Sequence, residues 1–194
     1  ELSYYVGSNS NGENIKDIDA KTYYLKDGKV EDEKVRNKEI FEVEKNEYIE
    51  TKKFTLPKIQ DGVIIEYSYK KYSPNIRTLP KWYFQSSIPT QSSEFQVIVP
   101  QELITYRSQV RGYQQVKTDV IEGNGVIAGL PNARFTLKYY THKAENLEGI
   151  DGENYVNNIR NYITSVSYEL SSVSNGTVGD REYLANTWND VVDN

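Results

Sequence analysis

Apolar and polar residues alternate in several stretches of this chain. In Val63-Ile64-Ile65-Glu66-Tyr67-Ser68-Tyr69-Lys70, residues Val63, Ile65, Tyr67 and Tyr69 share one face, while Glu66, Ser68 and Lys70 share the other. Side chains of a strand point alternately to its two sides, so this period predicts a half-buried β-strand. Phe95, Val97 and Val99 repeat the pattern against Glu94 and Gln96. Phe135, Leu137 and Tyr139 do so against Arg134, Thr136 and Lys138, and Val166, Tyr168 and Leu170 against Ser165, Ser167 and Glu169. Turn residues punctuate these runs. Asp27-Gly28 and Asn124-Gly125 accept the positive φ of tight hairpin turns, and Asp61-Gly62 directly precedes the strongest strand. The prolines fall at the edges of periodic runs, where a missing N–H costs least. Trp82-Tyr83-Phe84, between Pro80 and Pro89, reads as a core strand.

The C-terminal part reads differently. Asp151 to Asn161 suits a short helix with Tyr155, Val156 and Ile159 on one side. Asp180 is placed as the N-cap of a last helix, in which Leu184, Trp188 and Val191 or Val192 recur at helical spacing. The expected class is all-β: a β-sandwich-like pair of antiparallel sheets with one or two short C-terminal helices. Residues 1–143 would form the sandwich. Residues 144–194 would form a connecting segment of helix, strand and C-terminal helix, with an apolar stripe facing a domain further along.

Composition sharpens this picture. Of 194 residues, 17 are Tyr, 5 Phe and 2 Trp, which suits pleated, half-buried surfaces. The net charge of -5, with both signs interspersed, gives no basic footprint for nucleic acid. No apolar run approaches the roughly 20 residues of a membrane span. The chain has no cysteine, which excludes disulfides, thiolate metal sites and cysteine nucleophiles. It also has no methionine and begins at Glu1, so a processed or trimmed chain is expected.

Candidate chemistry is sparse. The lone His142 has no nucleophile motif to serve, so a structural or surface role is expected. One histidine without cysteine makes a poor zinc site, and no cofactor is called for. The oxygen-rich loops at 9–14 and 151–154 lack EF-hand spacing and read as ordinary turns. Carboxylates are plentiful, and Glu66 draws notice because it interrupts an apolar strand. Its bland reading is the polar face that alternation requires. Trp82 and Tyr83 are the aromatic candidates for a binding platform, alongside their role in packing.

One ordered series carries a resemblance. It runs Phe54-Thr55-Leu56-Pro57, then Gly62-Val63-Ile64-Ile65-Glu66-Tyr67-Ser68-Tyr69, then Trp82-Tyr83-Phe84-Gln85, Ile88-Pro89, and Val97-Ile98-Val99-Pro100. Ala20-Lys21-Thr22-Tyr23 with Asp27-Gly28-Lys29-Val30 precedes it as a hairpin. The series resembles the family called domain of unknown function 3857. That resemblance implies an N-terminal accessory domain of exported bacterial proteins, of Bacteroidetes type, usually followed by a transglutaminase-like, papain-related domain. It implies the periplasm or the outer surface of a Gram-negative envelope. It also implies further strands before Leu2 and a Cys-His-Asp domain after Trp188, neither with a counterpart here. The expected role is therefore a non-catalytic accessory or interaction domain, not an enzyme. Its expected partner is the transglutaminase-like domain or another envelope protein, with strand addition at an open edge. The alternative is a carbohydrate- or peptide-binding module with Trp82, Tyr83 and Glu66 as contact residues.

Overall fold

The computed structural model describes residues 1–6, 12–77, 79–127, 130–150, 158–174 and 180–184. They fold as antiparallel β-structure, as the alternation predicts. The strands are β1 (Leu2–Tyr5), β2 (Asn14–Lys26), β3 (Lys29–Lys34), β4 (Phe41–Asn46), β5 (Ile49–Lys53), β6 (Ile64–Tyr72) and β7 (Trp82–Tyr83). They continue as β8 (Thr90–Pro100), β9 (Ile104–Arg111), β10 (Lys117–Ile127), β11 (Leu130–Leu147), β12 (Ser165–Ser174) and β13 (Arg181–Tyr183). The chain divides into two compact units, Glu1–Asn75 and Ile76–Asn194.

The first unit holds two three-stranded sheets, ordered β1-β5-β4 and β3-β2-β6. The β2–β3 hairpin closes at Lys26 opposite Lys29, with Asp27 at φ 49° and Gly28 at φ 75°. Two consecutive positive φ values define the turn whose twist matches that of paired strands, and glycine takes such a φ without steric cost. The expected hairpin is thus formed. Among the described residues of this unit, Tyr4, Ile15, Ala20 and Val35 are the buried apolar ones, and Thr22 and Thr51 are buried as well. Thr22 Oγ1 is enclosed and has no hydrogen-bonding partner.

The second unit holds β10-β11-β8 and a sheet in which β12 is flanked by β13, β7 and β9. Its core joins Phe84, Val97, Val99, Ala144, Leu147, Val166 and Tyr168, with Phe95, Ile104, Tyr106 and Tyr140 packed against them. Val97 and Val99 come from β8, and Val166 and Tyr168 from β12, so the alternation read in those two strands does face a core. Gln85 ties strand ends together, as its position suggests. Its Nε2 donates to the Glu148 carbonyl at 3.2 Å, and the Thr164 N–H donates to its Oε1 at 3.3 Å.

Several expectations are corrected. Strand β6 is not half-buried: every one of its residues is exposed, including Ile64, Ile65, Tyr67 and Tyr69. Alternation assigns residues to faces, but it does not say that anything covers a face. Asn124-Gly125 is not a hairpin turn. Both residues lie inside β10, opposite Thr136 and Phe135, with an irregularity just beyond Gly125. A Cβ on Gly125 would meet Leu137 Cδ1 at 2.5 Å, so a larger residue there would make the Leu137 side chain shift. In β11, Phe135 and Leu137 are buried, but His142 and Ala144 are buried on the opposite face. The paired register with β8 sets His142 beside Phe95 and Tyr140 beside Val97, which makes that opposite face the core-lining one.

Asp180 does not begin a helix. Arg181–Tyr183 is a strand paired with Ser172–Ser174. The Arg181 guanidinium accounts for this, donating to Ser172 Oγ at 2.9 Å and to the Gln101 carbonyl at 2.6 Å. The remainder of that expected helix lies outside the described residues. Most of the other, at 151–157, does too. Its last residues, Ile159–Asn161, form one 3-10 turn capped by the Asn158 side chain.

Candidate functional site

Glu66 sits on β6 directly opposite Lys21 of β2. Strand pairing alone brings the two side chains together, with Lys21 Nζ 3.3 Å from Glu66 Oε2. The Tyr23 hydroxyl donates to the same oxygen at 2.7 Å. The Tyr23 hydrogen bond, and then Lys21, hold the Glu66 carboxyl below its usual range. Glu66 is therefore an ionised, solvent-facing carboxylate. A general acid at neutral pH needs a raised pKa, which this environment does not supply.

Trp82 and Tyr83 lie side by side on β7, opposite Val166 and Ser165. Trp82 is 39% exposed, Tyr83 is half-buried, and Phe84 is the member of the trio that enters the core. The indole stacks on Phe95 with ring centroids 5.5 Å apart and planes 10° from parallel, and its Nε1 donates to Ser93 Oγ at 3.1 Å. One edge of the ring is thus fixed while part of it meets solvent. A rigid, half-exposed aromatic is the kind of surface on which a sugar or peptide group stacks. Glu66 belongs to the first unit, and Trp82 and Tyr83 to the second.

Behind Trp82 lies a buried aromatic centre on Tyr168. Phe95, Tyr106, Tyr140 and His142 all present edge-to-face contacts to its ring, with centroids 5.7 to 6.3 Å away. His142 is 1% exposed. Its Nε2 shares a hydrogen bond of 2.6 Å with the Tyr168 hydroxyl, and its Nδ1 one of 2.9 Å with Thr118 Oγ1. Burial lowers the His142 pKa and pushes the Tyr168 phenol up to about 12. Both groups are thus neutral near pH 7 and joined across the two sheets of the unit. Of the structural and surface roles expected for the lone histidine, its burial selects the structural one.

Sequence reasoning missed a second polar cluster. The Tyr4 hydroxyl of β1 is shared between the carboxylates of Glu42 on β4 and Glu50 on β5, 2.6 Å from Glu50 Oε2. Lys52 Nζ stands 3.4 Å from Glu42. Burial and then these two carboxylates raise the Tyr4 pKa, while the Tyr4 hydrogen bond and then Lys52 lower that of Glu42. The cluster links all three strands of its sheet. No spacing along the chain signals it, because its members meet only through strand pairing.

Among the described residues no group of three or more His, Asp or Glu side chains could hold a metal ion. No helix among them is long and apolar enough to cross a membrane. A family model described as Domain of Unknown Function with solved-structure structure (DUF3857) matches residues 3–128. No curated protein and no solved structure matches the chain.

Proposed function

The chain belongs to the DUF3857 family, and from that premise we propose that it is a non-catalytic accessory domain that works by contact with another protein surface. The observation that carries this reading is β6. It lies within the matched residues, at the edge of its sheet, and exposes Ile64, Ile65, Tyr67, Tyr69 and Tyr72 at 43% or more. Large apolar side chains grouped on an open strand mark an interaction surface. In this reading the parent protein is exported to a Gram-negative envelope and carries a transglutaminase-like domain beyond Asn194. The domain contributes positioning, and the neighbour contributes the nucleophile.

The test is hydrogen exchange on the chain with and without the transglutaminase-like domain of its parent. Slowed exchange in β6 amides on mixing supports the reading. Hydrolysis of a peptide or glycan by the chain alone, abolished by Glu66→Gln, overturns it.

A second reading rests on Trp82. Its fixed, half-exposed indole supports a carbohydrate- or peptide-binding module of the envelope. Saturable binding of a glycan or peptide, lost in Trp82→Ala with the circular dichroism unchanged, favours this reading over the first.

A further inference from the structure

We infer that β6 is a self-association edge, on which two copies of the chain pair β6 with β6 in antiparallel register about a two-fold axis at Ser68. This deepens the contact reading above and rests on it. Among the described residues, in the order β3-β2-β6, the strand has a single neighbour, β2. Its outer edge therefore offers backbone N–H and C=O groups to a new strand.

The pattern of β6 selects the register. A two-fold axis normal to the sheet reverses strand direction and keeps each residue on its own face, so opposed residues share that face. With the axis at Ser68, Glu66 opposes Lys70 of the second copy and Tyr67 opposes Tyr69. Ile64 then opposes Tyr72, and Ile65 lies against the aliphatic stem of Lys71. Symmetry makes each of these contacts twice. An axis at Tyr67 would set Glu66 opposite Ser68, and an axis at Tyr69 would set it opposite Tyr72. Neither matches the charges. Opposite charges and aromatic pairs set directly across antiparallel strands are the contacts that stabilise such a pairing.

Glu66 and Lys70 already have partners in their own chain, Lys21 and Asp17, yet remain open to a second. Their side chains are 59% and 66% exposed. The sheet would grow from three strands to six across the axis, which covers the β6 edge of each copy and leaves β3 at the two ends.

Sedimentation of the intact chain tests this. The wild type is expected to dimerise reversibly with concentration. Glu66→Lys and Lys70→Glu each turn two attractive pairs into repulsive ones, and each should weaken the dimer about tenfold. An equal mixture of the two variants restores both attractive pairs and should dimerise like the wild type. The chain has no cysteine, so Ser68→Cys places one thiol on the axis. It should form a disulfide-linked dimer on mild oxidation, while Tyr113→Cys, exposed in the other unit, should not. Circular dichroism checks that each variant is folded. A chain that stays monomeric at millimolar concentration overturns the inference, as does a dimer indifferent to both charge reversals. If that monomer still gains β6 protection from the neighbouring domain, self-pairing fails and the contact reading stands. If the charge-sensitive dimer forms but the neighbour never protects β6, self-pairing stands and the neighbour reading fails.

Discussion

The two units of this chain use similar strands in opposite ways. In the unit from Ile76 onward, β8 and β12 turn their alternating apolar residues inward, so that Val97, Val99, Val166 and Tyr168 are at most 8% exposed. In the unit up to Asn75, β6 has the stronger alternation and buries none of it. Thr22 and Thr51 are as buried there as any apolar side chain. The difference shows that the same pattern can serve a core or an open surface. What separates the two outcomes is whether a second sheet covers the face. Unit two has a densely packed aromatic centre, and unit one leaves the apolar residues of β6 exposed.

The sharpest way to break the comparison is to empty the second unit's core. Phe84→Ala should destabilise that unit by about 3–5 kcal/mol, the range for deleting a buried aromatic ring. Trp82 lies in that unit and residues 1–75 contain no tryptophan, so denaturant unfolding followed by tryptophan fluorescence reads it. A loss under 1 kcal/mol would mean that the ring is not the packed residue described above.

Acid is the second lever. Burial lowers the folded pKa of His142 below the ordinary imidazole value of about 6.5. The unfolded chain then binds the proton more readily, and stability falls as pH drops below that value. The contribution is fully present above the unfolded pKa and is lost towards the folded one. Thermal melts between pH 7 and pH 5 should show a falling midpoint for the second unit, and His142→Gln should flatten that slope.

Smaller effects are expected in the first unit. Thr22→Val removes the enclosed hydroxyl that has no partner while keeping the side chain's shape. It should stabilise the unit by about 1 kcal/mol, read by urea unfolding with tyrosine as the probe. Tyr67→Ser on the open strand should change stability by no more than about 0.5 kcal/mol. The same substitution should weaken dimerisation in sedimentation, which separates a contact residue from a packing residue.

Much of the candidate chemistry was legible in part. Asp27-Gly28 announced its hairpin because the turn's φ demand is local to those residues. His142 read as structural or surface because no nucleophile motif accompanies it, and its burial and bonds to Tyr168 and Thr118 make the role structural. Trp82 was legible as aromatic but not as half-exposed, because Phe84, two residues on, takes the core position. The cluster of Tyr4, Glu42 and Glu50 was invisible, since its members are far apart in the chain and adjacent only across strands. Asn124-Gly125 misled because glycine satisfies two demands, turning and close approach, that look alike in sequence.

The sequence by itself determined the all-β class, the first hairpin, the division of several strands into two faces, and the family. These follow from backbone sterics and from a side-chain period of two, which act over a few residues. Only the tertiary structure decided which faces are covered, that Arg181–Tyr183 joins β12 as a strand, and that Glu66 stands beside Lys21 and Tyr23. Burial and strand neighbours depend on segments tens of residues away, and no local pattern encodes which distant segment arrives.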